Sequence, residues 1–168
     1  MTVPSRGDDP PSPPAPPAGG NRGLADFAEL VRLDHGLSVV STLRADGTIQ
    51  SSVVNAGVVA HPITGTPAVA FTTRAGAAKL AHLRARPRLS LVVRAGWNWV
   101  AAEGPVELAG PADPLPGIDA EGLRILLRDA FTAAGGSHDD WATYDRVMAR
   151  EGRAVVLLTP DRVYSNPA

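Results

Sequence analysis

The chain has 168 residues, enough for one domain of ordinary size, and its 16 basic and 17 acidic side chains leave a net charge of −1. A near-neutral chain lacks the basic field of nucleic-acid-binding proteins, so we expect no nucleic-acid partner. The absence of cysteine excludes disulfides and thiol chemistry and favours a cytoplasmic protein, while no apolar run approaches the roughly 18 residues of a membrane span.

The first 22 residues form a tail rich in proline and glycine. Such a composition cannot bury enough apolar surface to offset the entropy of ordering, so we predict that residues 1–22 are disordered. The tail has no apolar core behind a basic start and does not resemble a secretory signal. A proline-rich ligand for a partner domain stays open as an alternative. The folded domain is expected to span residues 23–168.

The first predicted elements are a short amphipathic helix from Leu24, ended by Gly36, and then a β-hairpin. The hairpin consists of a β-branched run over 37–43, an Asp-Gly turn and a strand over 49–60. The second strand contains Gly57, which indicates either close approach of a ligand or another backbone, or a bulge or edge strand.

A strand over 68–73 leads into a polar turn and a helix that must end near Arg86, because Pro87 follows. Lys79, the single lysine of the chain, lies in the first turn of this helix, where the helix dipole disfavours a cation. A bound anion would remove the conflict, since the free N–H groups of a helix N-terminus bind phosphate. The spacing thus favours a phosphate-bearing ligand, with a solvated surface lysine as the alternative.

Two further strands are predicted over 89–93 and 97–108, the second with a bend or bulge near Gly104-Pro105. Trp97 and Trp99 share one face of the second strand, either as core residues, which is the favoured interpretation, or as a stacking surface.

Two helices and two short strands complete the chain. Asp119 is expected to cap the first helix and Ser137 to start the second. The strands are predicted over 154–158 and 162–165. Few strands joined by short turns favour a small closed barrel, so the predicted fold is mainly β (α+β), with helices packed outside the barrel.

No self-contained catalytic set is visible in the sequence. The four histidines do not fall at metal-binding spacings, and neither a nucleophile elbow nor a Walker loop occurs. We therefore identify no catalytic residue and no metal site. An enzyme with this sequence would depend on a cofactor for its chemistry.

The order of a helix, an Asp-Gly hairpin, FTTRAGAAKLAHLRARPRLSLVV and WNWVAAEGPVEL resembles the pyridoxamine 5′-phosphate oxidase-like proteins. Further on, GGSHDDWATYDRVM and LLTPDRVYSNP look like the branch that uses the deazaflavin coenzyme F420. The resemblance covers about residues 23 to 167. It implies a six-stranded antiparallel split β-barrel of the FMN-binding type and a homodimer with cofactor sites at the subunit interface.

The resemblance also implies roles for individual residues. Lys79 would pair with the cofactor phosphate, next to the turn, and strand residues would lie along the ring. Tryptophan-strand residues would come from the second subunit or the facing strand. The implied cofactor-binding residues are Lys79, Thr72, Thr73, Arg74, Ser52, Val53, Asn55, Trp97 and Asn98, with Trp99 as a weaker candidate.

One position departs from the family pattern. Relatives often carry a second basic residue two positions before the lysine, and this chain has Ala77 there. Arg74 and Arg88 are the two substitutes that the neighbouring sequence offers. The sequence therefore does not decide whether Arg74 or Arg88 is the second cation at the phosphate.

The implied function is an oxidoreductase in which reduced F420 delivers a hydride to an activated double bond of a small-molecule substrate. One alternative is an FMN-dependent enzyme similar to pyridoxamine phosphate oxidase. Another is a non-catalytic protein that carries F420 or a flavin, since binding needs the same residues as catalysis.

Overall fold

The computed structural model describes residues 23–166, so the predicted proline-rich tail lies outside the described residues. Within this range the elements are α1 (Leu24–Leu33), β1 (Leu37–Leu43), β2 (Ile49–Ala60), β3 (Pro67–Thr73), α2 (Ala78–Ala85), β4 (Arg88–Ala95), β5 (Asn98–Ala109), α3 (Ala120–Ala133), α4 (Trp141–Arg150), β6 (Ala154–Leu158) and β7 (Arg162–Ser165). No helix within 23–166 is both long and apolar enough to cross a membrane.

Six strands close an antiparallel barrel in the order β4-β1-β2-β3-β6-β5, and β5 returns to pair with β4. The seventh strand, β7, pairs with the first half of β5, whereas β6 pairs with its second half. The predicted fold class, a six-stranded antiparallel barrel with peripheral helices, is confirmed. Closure gives each barrel strand a neighbour on both sides in the strand order, which explains how so few strands bury a core.

The predicted break at Gly104-Pro105 is the point where β5 changes partner. Residues 100–103 pair with β7 and residues 106–109 with β6, along the same edge of β5. A Cβ atom on Gly104 would lie only 2.7 Å from the carbonyl oxygen of Thr159. Glycine therefore lets the connection between β6 and β7 pass directly over β5.

Two hydrophobic clusters hold the fold together. Inside the barrel, Phe27 and Val31 of α1 are buried with strand residues such as Leu91. Outside it, α3 and α4 cover the outer face of β3 and β6, where Leu127 and Tyr144 pack. Complete burial of one such large apolar side chain stabilises a fold by about 1.5–3 kcal/mol, so both clusters fix the positions of the helices.

Gly57 marks the close approach of another backbone. A Cβ atom at this position would lie 2.2 Å from the carbonyl carbon of Ala133, at the end of α3. The alternative interpretation, a bulge or an edge strand, is wrong, because β2 lies between β1 and β3 and its register with β3 runs unbroken through Gly57, which pairs with Ala70. The end of α3 therefore rests directly on β2.

The two outer helices begin at aspartates. Asp119 caps α3 by accepting the Gly122 N–H at 2.8 Å, as predicted. The prediction that Ser137 starts α4 is wrong, since the helix begins at Trp141 with Asp140 as its N-cap. The Asp140 carboxylate accepts both the N–H and the hydroxyl of Thr143, at 2.9 and 2.6 Å, and two such bonds fix the start of a helix.

Candidate functional site

A cavity of about 620 Å³ opens beside β2, between the turn that follows β3 and the ends of α3 and α4. Small-molecule sites commonly have this size. We call it the Lys79 cavity. Its lining consists of His35, Val53, Val54, Asn55, Thr72, Thr73, Arg74, Ala77, Lys79, Ala130, Phe131, Ala134, Gly135, Gly136, Tyr144, Met148 and Arg153.

Six of the nine predicted cofactor-binding residues meet at this cavity. They come from two neighbouring strands and the turn and helix that follow them: Val53, Asn55, Thr72, Thr73, Arg74 and Lys79. The antiparallel register places Ala56 of β2 opposite Phe71 of β3. That register brings the middle of β2 next to the end of β3, so distant stretches of sequence form one site.

The other three predicted residues do not line the cavity within one chain. Ser52 pairs with Val40 of β1 and precedes the part of β2, Val53 to Asn55, that lines the cavity. Trp97 lies in the turn between β4 and β5 and is 94% exposed, so its interpretation as a core residue is wrong. Asn98 begins β5 next to it and is also exposed.

The phosphate prediction for Lys79 agrees with its surroundings. Lys79 follows Ala77, the N-cap of α2, and no side chain bonds to the first N–H groups of that helix. The first turn of α2 contains no acidic residue, and among residues 23–166 no carboxylate pairs with Lys79. A lysine and a helix N-terminus facing one cavity form a favourable environment for an anion.

Arg153 is a third cation of the cavity, beside Lys79 and Arg74, and it was not among the predicted site residues. It precedes β6, and the pairing of Thr73 with Ala154 places it close to Arg74. The Arg153 Nε donates to Glu151 at 2.7 Å, while Arg74 pairs with the same carboxylate at 3.4 Å. No local signal in the sequence distinguishes Arg153, since its position depends on the β3–β6 register.

Glu151 is a shared partner for these two arginines. The hydrogen bond from Arg153 is the main reason why the pKa of Glu151 is lowered, and the charge of Arg74 acts in the same direction. Two arginines and one carboxylate leave a net positive charge at this end of the cavity, to which Lys79 adds. Arg88, the other proposed substitute for the second cation, pairs instead with Asp161 at 2.8 Å and does not line the cavity.

The opposite wall of the cavity is largely apolar and aromatic. Phe131 and Tyr144 pack with ring centroids 5.0 Å apart, and both side chains line the cavity. The Tyr144 hydroxyl donates to the Leu127 carbonyl oxygen at 3.0 Å, and burial raises the pKa of Tyr144 to about 12. This hydroxyl therefore stays protonated at neutral pH and helps to hold α3 against α4.

Asn55 is also held in place from outside its strand. Its side-chain Nδ2 donates to the His35 carbonyl oxygen at 2.7 Å. His35 adopts a left-handed backbone conformation with φ of 51° in the turn after α1, which is uncommon for a residue with a side chain. The hydrogen bond ties this turn to β2 at the rim of the cavity.

The residues present fit a group that combines a phosphate with a flat apolar ring. Lys79, Arg74 and Arg153 lie at the cationic end, and Val53 with the aromatic pair supplies apolar surface. Within the described part of the chain, no group of three side chains could hold a metal ion.

Comparison with known proteins identifies the family of this chain. The family model described as pyridoxamine 5′-phosphate oxidase matches residues 25–166. A conserved hypothetical protein from Mycobacterium tuberculosis has a TM-score of 0.63 at 19% identity, with 89% of this chain and 88% of that one covered.

Two further solved structures carry informative descriptions. An F420 reductase has a TM-score of 0.54 at 14% identity, covering 80% of this chain and 94% of its own. An FMN-binding protein related to pyridoxamine 5′-phosphate oxidase, from Nostoc punctiforme, has a TM-score of 0.55 at 14% identity, with 83% of this chain and 80% of that one covered. At these identities the likeness to solved structures establishes the shared fold, whereas the family model covers nearly all of the described residues. The chain belongs to the pyridoxamine 5′-phosphate oxidase family.

Proposed function

We propose that this protein is an oxidoreductase that binds the deazaflavin coenzyme F420 in the Lys79 cavity and acts on a small-molecule substrate. The main support for this proposal is that a cationic end and an apolar wall occur in the same cavity of about 620 Å³. Family membership supports a flavin-like cofactor. The preference for F420 over FMN depends on the resemblance of the C-terminal half, including GGSHDDWATYDRVM, to the deazaflavin branch.

The chain's own residues would bind and orient this cofactor. Lys79 and the free N–H groups at the start of α2 would hold the phosphate, with Arg153 and Arg74 completing the cationic end. Val53 and Asn55 would lie along the ring. When bound, the reduced cofactor supplies a hydride to an activated double bond, so the protein needs to position the substrate rather than provide a nucleophile.

We also propose that the protein is a homodimer with the Lys79 cavity at the subunit interface. The outer face of β1 and β2 exposes large apolar side chains, among them Val39 at 46%, Ile49 at 66% and Val53 at 64%. Val39 lies directly opposite Val53, which also lines the cavity, so the apolar face continues into the site. Contiguous apolar faces of this kind are typical of protein interfaces.

Light scattering coupled to size-exclusion chromatography tests the dimer. We expect a dimer for the wild-type chain and a monomer for Val39→Asp. Ile125→Asp is the matched control, because Ile125 is equally exposed at 46% but lies on α3. A monomeric wild-type protein would contradict the proposed interface.

A fluorescence titration with F420 and with FMN tests the choice of cofactor. We expect saturable binding of F420 with higher affinity than FMN. Tighter binding of FMN would overturn the F420 assignment and favour an FMN-dependent enzyme. Turnover of reduced F420 with a panel of enones then separates enzyme from carrier, since tight binding without oxidation by any acceptor would indicate a carrier.

A further inference from the structure

A second cavity, of about 610 Å³, lies between α3, α4 and the loop that connects β5 to α3. We call it the Leu123 cavity. Met148 and Arg153 line both cavities and form their common wall. Its size is again that of a small-molecule site.

The floor of the Leu123 cavity is apolar. Leu115 and Leu127 are nearly buried, at 7% and 6% exposure, and belong to the outer hydrophobic cluster. Ile118, Leu123 and Met148 pack against the same cluster and also line the cavity. A ligand that fills this cavity must therefore be largely apolar.

The acidic residues of the lining are already engaged. Asp145 accepts from Arg128 at 2.8 Å and from Arg124 at 3.1 Å. Asp119 accepts the Gly122 N–H as the cap of α3. Neither carboxylate needs a cationic ligand, so the cavity is not built for an amine.

Arg146 is the cation that remains at the rim. Its guanidinium donates to the Thr143 hydroxyl oxygen at 2.6 Å, and no carboxylate in residues 23–166 pairs with it. An arginine beside an apolar floor selects a molecule with one anionic group and an apolar remainder. Arginine also matches the planar geometry of a carboxylate.

We propose that the Leu123 cavity is a binding site for a small apolar carboxylate, an alkyl or aryl acid whose carboxylate pairs with Arg146. This proposal does not depend on the cofactor assigned to the Lys79 cavity. It holds for the protein without any cofactor, so its failure and that of the proposed function are distinguishable.

Isothermal titration calorimetry with decanoate, in the absence of cofactor, tests the site, with decan-1-ol as the uncharged probe. We expect one molecule of decanoate per chain and weaker binding of the alcohol. Arg146→Met should reduce decanoate affinity about fivefold, the upper range for an exposed ion pair, and leave decan-1-ol unaffected. Arg150→Met is the matched control, since Arg150 is an exposed arginine of α4 that does not line the cavity.

A cavity-filling variant locates the binding. Ala149 lines the cavity but is exposed on α4, so Ala149→Trp can fill the space without disturbing the core. We expect this variant to bind decanoate and decan-1-ol at least tenfold more weakly than the wild type does, while keeping the wild-type melting temperature. Equal binding of decanoate by the wild type and Ala149→Trp, or no saturable binding of decanoate by the wild type, would overturn the proposal.

Discussion

Replacement of Lys79 by methionine gives a direct measure of the anion site. Methionine keeps the apolar stem and removes the charge, and among the described residues no carboxylate would be left without its partner. A hydrogen bond to a charged group contributes about 1.5–3 kcal/mol. We therefore expect Lys79→Met to weaken binding of F420 by about ten- to hundredfold.

The other two cations of the cavity, Arg74 and Arg153, differ in exposure, and this difference predicts how much affinity for F420 each replacement removes. The Arg74 side chain is 69% exposed, so solvent screens its contribution, and Arg74→Met should weaken binding less than about fivefold. Arg153 is 23% exposed, and its loss would also free Glu151 to repel the anion. Arg153→Met should therefore weaken binding more than Arg74→Met.

The assay is a fluorescence titration of each variant with F420 at low and at high salt. Arg88→Met is the control, because Arg88 pairs with Asp161 away from the cavity. The loss of F420 affinity in each variant, relative to the wild type, should be smaller at high salt, since ions screen exposed charges. If Lys79→Met bound as tightly as the wild type, or if Arg88→Met lost as much affinity, the anion site would be misplaced.

Three other substitutions test the site and its supports. Glu151→Gln should tighten cofactor binding in the same titration, because a carboxylate that competes for the arginines is neutralised; weaker binding would contradict this role. Gly57→Ala should destabilise the fold by about 3 kcal/mol in urea unfolding, because its methyl group meets the backbone of α3, whereas Gly76→Ala, with open space around it, should be nearly neutral. The pKa of Asp145 is lowered by hydrogen bonds from Arg128, so the stability that this carboxylate contributes is present above about pH 4 and lost as the pH falls further. Asp145→Asn should therefore unfold at a lower temperature than the wild type at pH 6, and this difference should shrink as the pH falls below about 4. A difference that does not change with pH would refute the assignment.

The sequence was sufficient where local signals decide structure. Pro87 stops α2 because the residue before a proline avoids the helical conformation, and the observed helix ends at Ala85. Asp119 caps α3 as its side chain and position predict. Lys79 lies in the first turn of α2, as predicted from the turn that precedes it. The candidate anion site could be located because its central residues are close together along the chain.

Competition between neighbouring signals misled the sequence analysis elsewhere. Ser137 and Asp140 are both good N-cap residues, and only the bonds from Thr143 select Asp140. Trp97 follows the alternation of a strand, yet it lies in a turn and points to solvent. Secondary-structure propensity indicates which element a residue favours, whereas its burial depends on which other elements pack against it.

Pairing between distant strands determined the rest of the site. Arg153 reaches the Lys79 cavity because Ala154 pairs with Thr73, and α3 forms the cavity wall because Gly57 lets Ala133 approach β2. Hydrophobic periodicity identifies which face of an element is buried but not which element covers it. The sequence by itself thus determined the elements, the barrel class and the position of Lys79, while the tertiary structure alone decided the third cation, Arg153, and both cavities, since these depend on contacts between residues far apart in the chain.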